Sequence, residues 1–165
     1  MAKDLELDAV RDQPLPQGME DAVRQFVEEG IPFNAHLGMK LTLLRRGRAG
    51  LEVPARAEFT GDPFRPALHG GVISTLADTV GGVACFSVME AHDRASTIDL
   101  RVDYLRPGRV NTALQAEAEI IRMGNRVAVA NVVVFQDGDR ARPVAVAKGV
   151  YSIKRGRPGE HASLG

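Results

Sequence analysis

A single carboxylate, Asp78, lies within a long run of small and apolar residues that begins directly after His69-Gly70-Gly71. Removing a carboxylate from water costs free energy unless a partner or a reaction requires its charge. The two glycines stand where a loop enters a helix, and the first backbone N–H groups of a helix have no partner within it. Because glycine has no Cβ, such N–H groups can approach a ligand oxygen closely. The pattern indicates either an oxyanion-binding turn with a reactive carboxylate, or a tight helix entry with a buried structural carboxylate.

The spacing of these groups bears on how many chains a site would need. Asp78 follows Gly70 by eight positions, which is about 12 Å along a helix axis. The two residues of one chain therefore cannot act on the same carbonyl group. In a twofold dimer, antiparallel packing of the helix would bring Gly70 of one subunit toward Asp78 of the other, with Gly81 and Gly82 allowing the helices to approach closely.

Composition and charge exclude several classes of protein. Twenty-one basic residues balance twenty-one acidic ones, so no overall field favours nucleic acid or an anionic membrane. Asp78 in the apolar run also disfavours a membrane span. The one cysteine, Cys85, and the lack of an apolar signal segment after Met1 predict a cytoplasmic protein. The four histidines are scattered, so neither a metal site nor a cofactor is expected.

Hydrophobic patterning predicts an α+β fold in which one long helix is covered by a sheet. The predicted elements are a short amphipathic helix within 18–30, two strands within 38–55, a loop over 58–67, a helix of about 22 residues beginning near 69, and strands at 96–105, 110–122, 126–136 and 143–154. A helix that is apolar nearly all round must be covered on most of its surface. A curved antiparallel sheet of five to six strands wrapped around it gives the hotdog fold. We expect one domain over 18–155, a flexible arm over 1–17 and a tail over 156–165.

Two segments together resemble the PaaI-like branch of the hotdog acyl-CoA thioesterases. Residues 68–79 and 96–107 match the two motifs of that family with the right separation. The resemblance implies that a homodimer, or a tetramer of two dimers, hydrolyses an acyl-CoA thioester without a cofactor. It also implies that Asp78 is the catalytic carboxylate, acting as general base on water or as nucleophile. The Gly70 backbone N–H would then polarise the thioester carbonyl.

The same resemblance implies further site residues. His69 would shape the loop, Gly71 would lie at the carbonyl, and Thr97 would place a hydroxyl near the catalytic carboxylate. Asp62 and Phe64 belong to the loop expected to line the acyl pocket. Guanidinium groups at predicted strand ends suit the phosphates of CoA. The arginines selected on this ground are Arg106, Arg109 and Arg126.

Two other functions stay open at this point. The family often has Asn-Pro where this chain has Asp62-Pro63, and a carboxylate lacks the amide donor that would hold a carbonyl or a water. This difference favours a non-catalytic hotdog protein that binds acyl-CoA. A hotdog hydratase or dehydratase shares the scaffold and is the third alternative.

Overall fold

The computed structural model describes residues 7–11 and 13–156 of the 165-residue chain. Its helices are α1 (Leu7–Arg11), α2 (Met19–Gln25), α3 (Pro32–Leu37) and α4 (Gly70–Phe86), with a π-helical turn at Phe26–Gly30 and a 3-10 turn at Ala57–Phe59. Its strands are β1 (Lys40–Arg45), β2 (Arg48–Val53), β3 (Thr60–Asp62), β4 (Ala67–Leu68), β5 (Arg94–Tyr104), β6 (Leu114–Met123), β7 (Val127–Phe135) and β8 (Ala145–Lys154).

Six of the strands form one antiparallel sheet in the order β1-β2-β6-β7-β8-β5. Helix α4 packs against this sheet, chiefly on β6, β2, β7 and β5, and its buried side chains form the core together with the inward residues of those strands. Alternating burial along β6 and β8 matches a sheet with one covered face. The predicted hotdog fold, with a long central helix and a large antiparallel sheet, is confirmed.

Two predicted boundaries differ from the structure for local reasons. Helix α4 has 17 residues and ends at Phe86, because the Ser87 hydroxyl donates to the Ala84 carbonyl and accepts the Gly47 N–H. Strand β6 begins at Leu114 and not at 110, because the Gln136 side chain bonds the carbonyls of Arg109 and Thr112. In both places a side chain replaces the regular backbone partner.

Part of the predicted arm over 1–17 is helical. Helix α1 lies within that range, and Leu7 is buried. Arg11 donates to the Ile120 carbonyl at 2.8 Å and pairs with Glu119 at 2.9 Å, so α1 packs on β6. The predicted helix within 18–30 is present as α2 and the π-helical turn, and α3 follows it. The remainder of the arm at 1–6 and 12, and the predicted tail from 157 onward, lie outside the described residues.

Buried Asp93 anchors the chain where β8 ends. Its carboxylate accepts hydrogen bonds from Arg155 at 2.5 Å and from the backbone N–H groups of Glu90 and Gly156, both at 3.2 Å. Burial raises the pKa of Asp93, but these bonds and the Arg155 charge outweigh it, so the pKa lies below its ordinary 3.8. The carboxylate therefore stabilises the fold above about pH 4, and that contribution is lost as the pH falls through the lowered pKa.

Substituting Asp93→Asn is expected to lower the free energy of unfolding at neutral pH by about 1–3 kcal/mol, because the bond that Arg155 makes to the buried side chain loses its anionic partner. The variant should also lose less stability than the parent below about pH 4. Urea unfolding between neutral and acidic pH measures both effects, with Glu29→Gln on the exposed π-helical turn as the control. Parallel pH curves for Asp93→Asn and the parent would contradict the assignment.

Candidate active site

The turn at the start of α4 is held from both sides. The Leu68 N–H donates to the Gly108 carbonyl and the His69 N–H donates to the Phe59 carbonyl, each at 2.8 Å. A Cβ on Gly61 would lie 2.6 Å from the His69 Cα, so only glycine fits there without a shift. These contacts fix the backbone that leads into the helix.

Within this turn His69 and the two glycines have different roles. The His69 Nδ1 accepts the Gly71 N–H at 2.8 Å and so caps the helix. The Val72 N–H donates to the His69 carbonyl, whereas the Gly70 N–H has no acceptor among the described residues. His69 therefore shapes the loop, as predicted. Gly70 offers a free donor at the positive end of the helix dipole, and the Gly71 donor is already occupied.

Asp78 lies half-buried on α4, two turns beyond Gly70. Its Oδ1 accepts the Thr97 hydroxyl at 2.9 Å, which is its one side-chain hydrogen bond within the described part of the chain. The hydroxyls of Thr75 and Thr79 donate instead to helix carbonyls. The predicted proximity of Thr97 to Asp78 is present in the structure, and one carboxylate oxygen remains available to a water or a substrate.

Tyr151 contacts the backbone of Asp78 and was not predicted from the sequence as a residue of this site. Its side chain is 1% exposed, and its hydroxyl donates to the Asp78 backbone carbonyl at 3.1 Å. Burial, followed by the charges of Asp78 and Cys85, raises the pKa of Tyr151, so the hydroxyl remains a donor. The signal in the sequence is Gly149, which precedes Tyr151 by two positions on the same face of β8 and leaves room for its ring.

Gly81 makes room for the same ring. A Cβ on Gly81 would lie 2.0 Å from the Tyr151 hydroxyl, whereas one on Gly82 would lie 3.9 Å from the nearest Tyr151 atom. Gly81 thus faces its own sheet and not a neighbouring helix, whereas Gly82 is half-exposed. Cys85 is buried, and burial raises the pKa of its thiol to about 12, which excludes it as a nucleophile at neutral pH.

The stretch 58–67, predicted as a loop, contains β3 and the first residue of β4, which pair with each other around a turn that begins at Asp62. The Asp62 Oδ1 accepts the backbone N–H groups of Phe64 at 2.9 Å and Arg65 at 3.2 Å. Asp62 therefore holds its own turn, and no described contact joins it to Gly70 or Asp78. The Phe64 side chain is 94% exposed, so within one chain it lines no closed acyl pocket. The exposed ring is free to meet a substrate or a second subunit.

The three selected arginines do not share one site in a single chain. Arg106 and Arg109 line a cavity of about 300 Å³ together with Arg142, beyond the end of β5. Arg126 lies in a separate cavity of about 430 Å³ with Lys154 and Arg155, at the opposite end of the sheet.

Comparison with known proteins identifies the family of this chain. A family model described as the thioesterase superfamily matches residues 66–142. The medium/long-chain acyl-CoA thioesterase YigI of Escherichia coli (strain K12) is 38% identical over 115 residues, which are 62% of this chain and 74% of that protein. The chain belongs to the thioesterase superfamily. As a member of that family it carries Gly70, Asp78 and Thr97 within the matched segment, and the reaction is hydrolysis of a thioester.

Solved structures agree with this thioesterase assignment. A crystal structure from the thioesterase superfamily has a TM-score of 0.72 and 30% identity, covering 81% of this chain and 97% of that one. A mutant of the phenylacetic acid degradation protein PaaI from Thermus thermophilus has a TM-score of 0.65 and 28% identity, covering 74% and 98%. The PaaI-like resemblance seen in the motifs is confirmed.

Two other kinds of feature are absent from the described part of this thioesterase. None of the helices described is long and apolar enough to cross a membrane. No group of three or more His, Cys, Asp and Glu side chains within 7–11 and 13–156 is arranged to hold a metal ion. The Thr97 hydroxyl and the Asp78 carboxylate are in contact, and the free Gly70 N–H lies two helical turns away on α4.

Proposed function

We propose that this thioesterase hydrolyses an acyl-CoA thioester to the free acid and CoA, with Asp78 of one subunit and Gly70 of the partner subunit at each site. The observation that carries the proposal is the free Gly70 N–H at the start of the helix that also holds the half-buried Asp78 carboxylate. One group suits a developing oxyanion and the other a water. Both lie on one helix, too far apart to meet within one chain.

The open edge of β5 supports the homodimer that this site requires. Strand β5 has 11 residues and pairs only with β8, so its other edge is unpaired in the described chain. An edge strand of this length is a template for pairing with another chain. Ile98 is 60% exposed and Tyr104 54% exposed, which is high for apolar side chains on a strand. A second copy of β5 would cover both.

The side-chain contacts of β5 suggest the register of such a pair. Thr97 bonds Asp78, and the Tyr104 hydroxyl donates to the Gly70 carbonyl at 3.1 Å. If two β5 strands pair antiparallel about an axis between positions 100 and 101, each Thr97 lies opposite Tyr104 of the partner subunit. Asp78 then lies toward Gly70 of the partner subunit, and two equivalent sites result.

The reaction follows from these groups. The Asp78 carboxylate accepts a proton from a water as the water oxygen attacks the thioester carbon. The carbonyl oxygen becomes an oxyanion, which the Gly70 N–H and the helix dipole stabilise. Collapse of this intermediate breaks the C–S bond, and the CoA thiolate takes up the proton. Thr97 holds Oδ1, so Oδ2 is oriented toward the water. Direct attack by Asp78 on the same carbonyl is the alternative chemistry.

The substrate class is proposed on chemical grounds. Guanidinium groups at both ends of the sheet suit the phosphates of CoA, and Phe64 suits an apolar acyl chain. The name of the YigI relative directs attention to medium and long chains. A tetramer of two dimers and a cytoplasmic location stay predictions.

Release of free thiol from a graded series of acyl-CoA thioesters, from acetyl to palmitoyl with benzoyl and phenylacetyl added, tests the function. We expect saturable hydrolysis with kcat/KM of about 10⁴–10⁶ M⁻¹s⁻¹ for the best chain length. Tight binding without thiol release across the series would instead favour the non-catalytic acyl-CoA-binding protein. Addition of water to an enoyl thioester would favour the hydratase.

A further inference from the structure

Tyr104 reaches from β5 to the start of α4, and the reaction described above gives it no role. Its hydroxyl donates to the Gly70 carbonyl at 3.1 Å. A Cβ on Gly70 would lie 3.3 Å from this hydroxyl oxygen and 3.4 Å from two atoms of the ring, so the ring packs directly on the glycine. Tyr104 therefore contacts the residue whose N–H is proposed to bind the oxyanion.

The backbone at Gly70 requires such a contact, because glycine has more conformational freedom than any other residue. Its neighbours are already held. The His69 N–H donates to the Phe59 carbonyl, and the Gly71 N–H donates to the His69 Nδ1, each at 2.8 Å. The Tyr104 hydroxyl adds a bond to Gly70 itself, through its carbonyl. A donor that stabilises an oxyanion must be oriented before the charge develops, and the contact with Tyr104 limits the rotation of this donor.

A β-bulge gives Thr97 and Tyr104 the same orientation. Side chains alternate along a regular strand, so two residues seven positions apart face opposite sides of the sheet. The pairing of β5 with β8 shifts register between Thr97 and Asp99, and both Thr97 and Tyr104 contact α4. Bulges redirect side chains in this way and are frequent beside active sites. The shift thus directs both hydroxyls toward the same helix.

The register proposed for the dimer places Tyr104 between the two halves of one site. Thr97 then lies opposite Tyr104 of the partner subunit, and the Cβ atoms of opposite residues are about 5 Å apart. Thr97 bonds Asp78, while Tyr104 of the partner subunit bonds Gly70 of that subunit. Tyr104 is 54% exposed in the single chain. A second copy of β5 would cover it and exclude water from its hydrogen bond, which strengthens that bond.

We propose that Tyr104 is a positioning residue for thioester hydrolysis. It holds the Gly70 N–H of its own subunit against the thioester carbonyl, at the site where Asp78 of the partner subunit activates the water. The inference rests on the proposed function and on its dimer. Tyr104 acts through Gly70 and not on the reacting atoms, so it contributes to kcat by orienting the oxyanion donor.

Tyr104→Phe tests this role because it keeps the ring and removes the hydroxyl. We expect kcat for the best acyl-CoA to fall about tenfold with KM unchanged, since the oxyanion donor is no longer held in place. Leu105→Ala is the matched control and should keep the parent kcat. Leu105 follows Tyr104, is 52% exposed and has no hydrogen-bonding group in its side chain. Light scattering verifies that both variants keep the parent's oligomeric state.

The carbonyl stretch of bound substrate separates positioning from a structural role. In protein that carries Asp78→Asn, acyl-CoA with a ¹³C-labelled carbonyl should persist long enough for rapid-scan infrared difference spectroscopy, because hydrolysis is about 10³-fold slower. A hydrogen bond from the Gly70 N–H lowers the carbonyl frequency below that of free acyl-CoA. Adding Tyr104→Phe should move the frequency back toward the free value, whereas adding Leu105→Ala should not. Loss of folded protein would weaken the band without moving it.

Mixed dimers test which Asp78 each Tyr104 serves. With Asp78→Asn on one chain and Tyr104→Phe on the other, one site carries both substitutions and the second carries neither, so half of the parent activity should remain. With both substitutions on one chain beside a parent chain, one site lacks the carboxylate and the other lacks the hydroxyl. About one twentieth of the activity should then remain, which is a tenfold loss at the one working site.

A carbonyl band that Tyr104→Phe does not move would overturn the positioning role, as would an unchanged kcat. The reverse pattern in the mixed dimers would overturn the assignment to Asp78 of the partner subunit. Failure of the proposed function is a different result, because the parent protein would then release no thiol from any acyl-CoA.

Discussion

Substituting Asp78→Asn is expected to lower kcat for acyl-CoA hydrolysis about 10³-fold and to change KM little. The amide cannot accept a proton from water at neutral pH, and positioned proton transfer contributes about 10²–10⁴ in rate. The variant should fold, since Asp78 is only half-buried and the amide oxygen of the substituted side chain can still accept the Thr97 hydroxyl. Thiol release under saturating acyl-CoA measures the loss, and thermal unfolding verifies the fold.

Thr97 provides a graded check on the same carboxylate. Thr97→Val removes the hydroxyl that bonds the Asp78 Oδ1 at 2.9 Å and should lower kcat about tenfold, whereas Thr97→Ser keeps the donor and should stay near the parent. Glu29→Gln, which removes an exposed carboxylate outside α4, serves as the control for loss of charge. Full activity of Asp78→Asn would remove Asp78 from the mechanism and with it the proposed water activation.

Isotope labelling separates the two roles open to Asp78. A single turnover in ¹⁸O-labelled water leaves the Asp78 carboxylate unlabelled if it acts as general base. If it attacks the carbonyl and forms an anhydride, hydrolysis of that anhydride at the enzyme carbonyl introduces the label into the side chain. Label found by mass spectrometry in the peptide that contains Asp78 would therefore identify the anhydride route.

The parts of the site that are local in sequence could be predicted, and those that depend on a side-chain orientation could not. The segment from His69 to Asp78 is one turn followed by one helix. Its residue types and their spacing therefore locate the free N–H and the carboxylate. The rotamer of the His69 imidazole decides which of the two N–H groups is free. In this rotamer Nδ1 accepts the Gly71 N–H, and the Gly70 N–H is left free. From the sequence alone, the N–H of either Gly70 or Gly71 could bind the thioester carbonyl.

The same distinction holds for the fold. Alternating apolar residues locate β5 to β8 within a few positions, because a strand with one covered face has apolar residues at every second position of its own sequence. Contacts between distant segments leave no such local pattern. Gln136 satisfies the backbone before β6, and Arg11 fixes α1 to the Ile120 carbonyl, and each depends on a partner more than 20 positions away. The relative positions of the arginines depend on distant segments in the same way, since strand order decides which strand ends meet.

Substituting Gly81→Ala is expected to lower the free energy of unfolding by about 3 kcal/mol. The new Cβ would lie 2.0 Å from the Tyr151 hydroxyl, and Tyr151 is 1% exposed, so its ring has no free volume to enter. Moving the ring would also break the hydrogen bond to the Asp78 carbonyl, which adds to the cost of overpacking. Because that bond holds the backbone of Asp78, whose carboxylate is proposed to act on water, kcat should fall as well. Urea unfolding and thiol release measure the two effects.

The next residue supplies the matched comparison. Gly82→Ala places a Cβ 3.9 Å from the nearest Tyr151 atom, and alanine favours a helix interior over glycine by about 1 kcal/mol. This variant should be as stable as the parent or slightly more stable. Gly81→Ala combined with Tyr151→Phe should regain part of the loss, since the nearest ring atom is then Cζ at 2.9 Å. Equal destabilisation by the two alanines would mean that contact between helices, and not the Tyr151 ring, requires glycine at both positions.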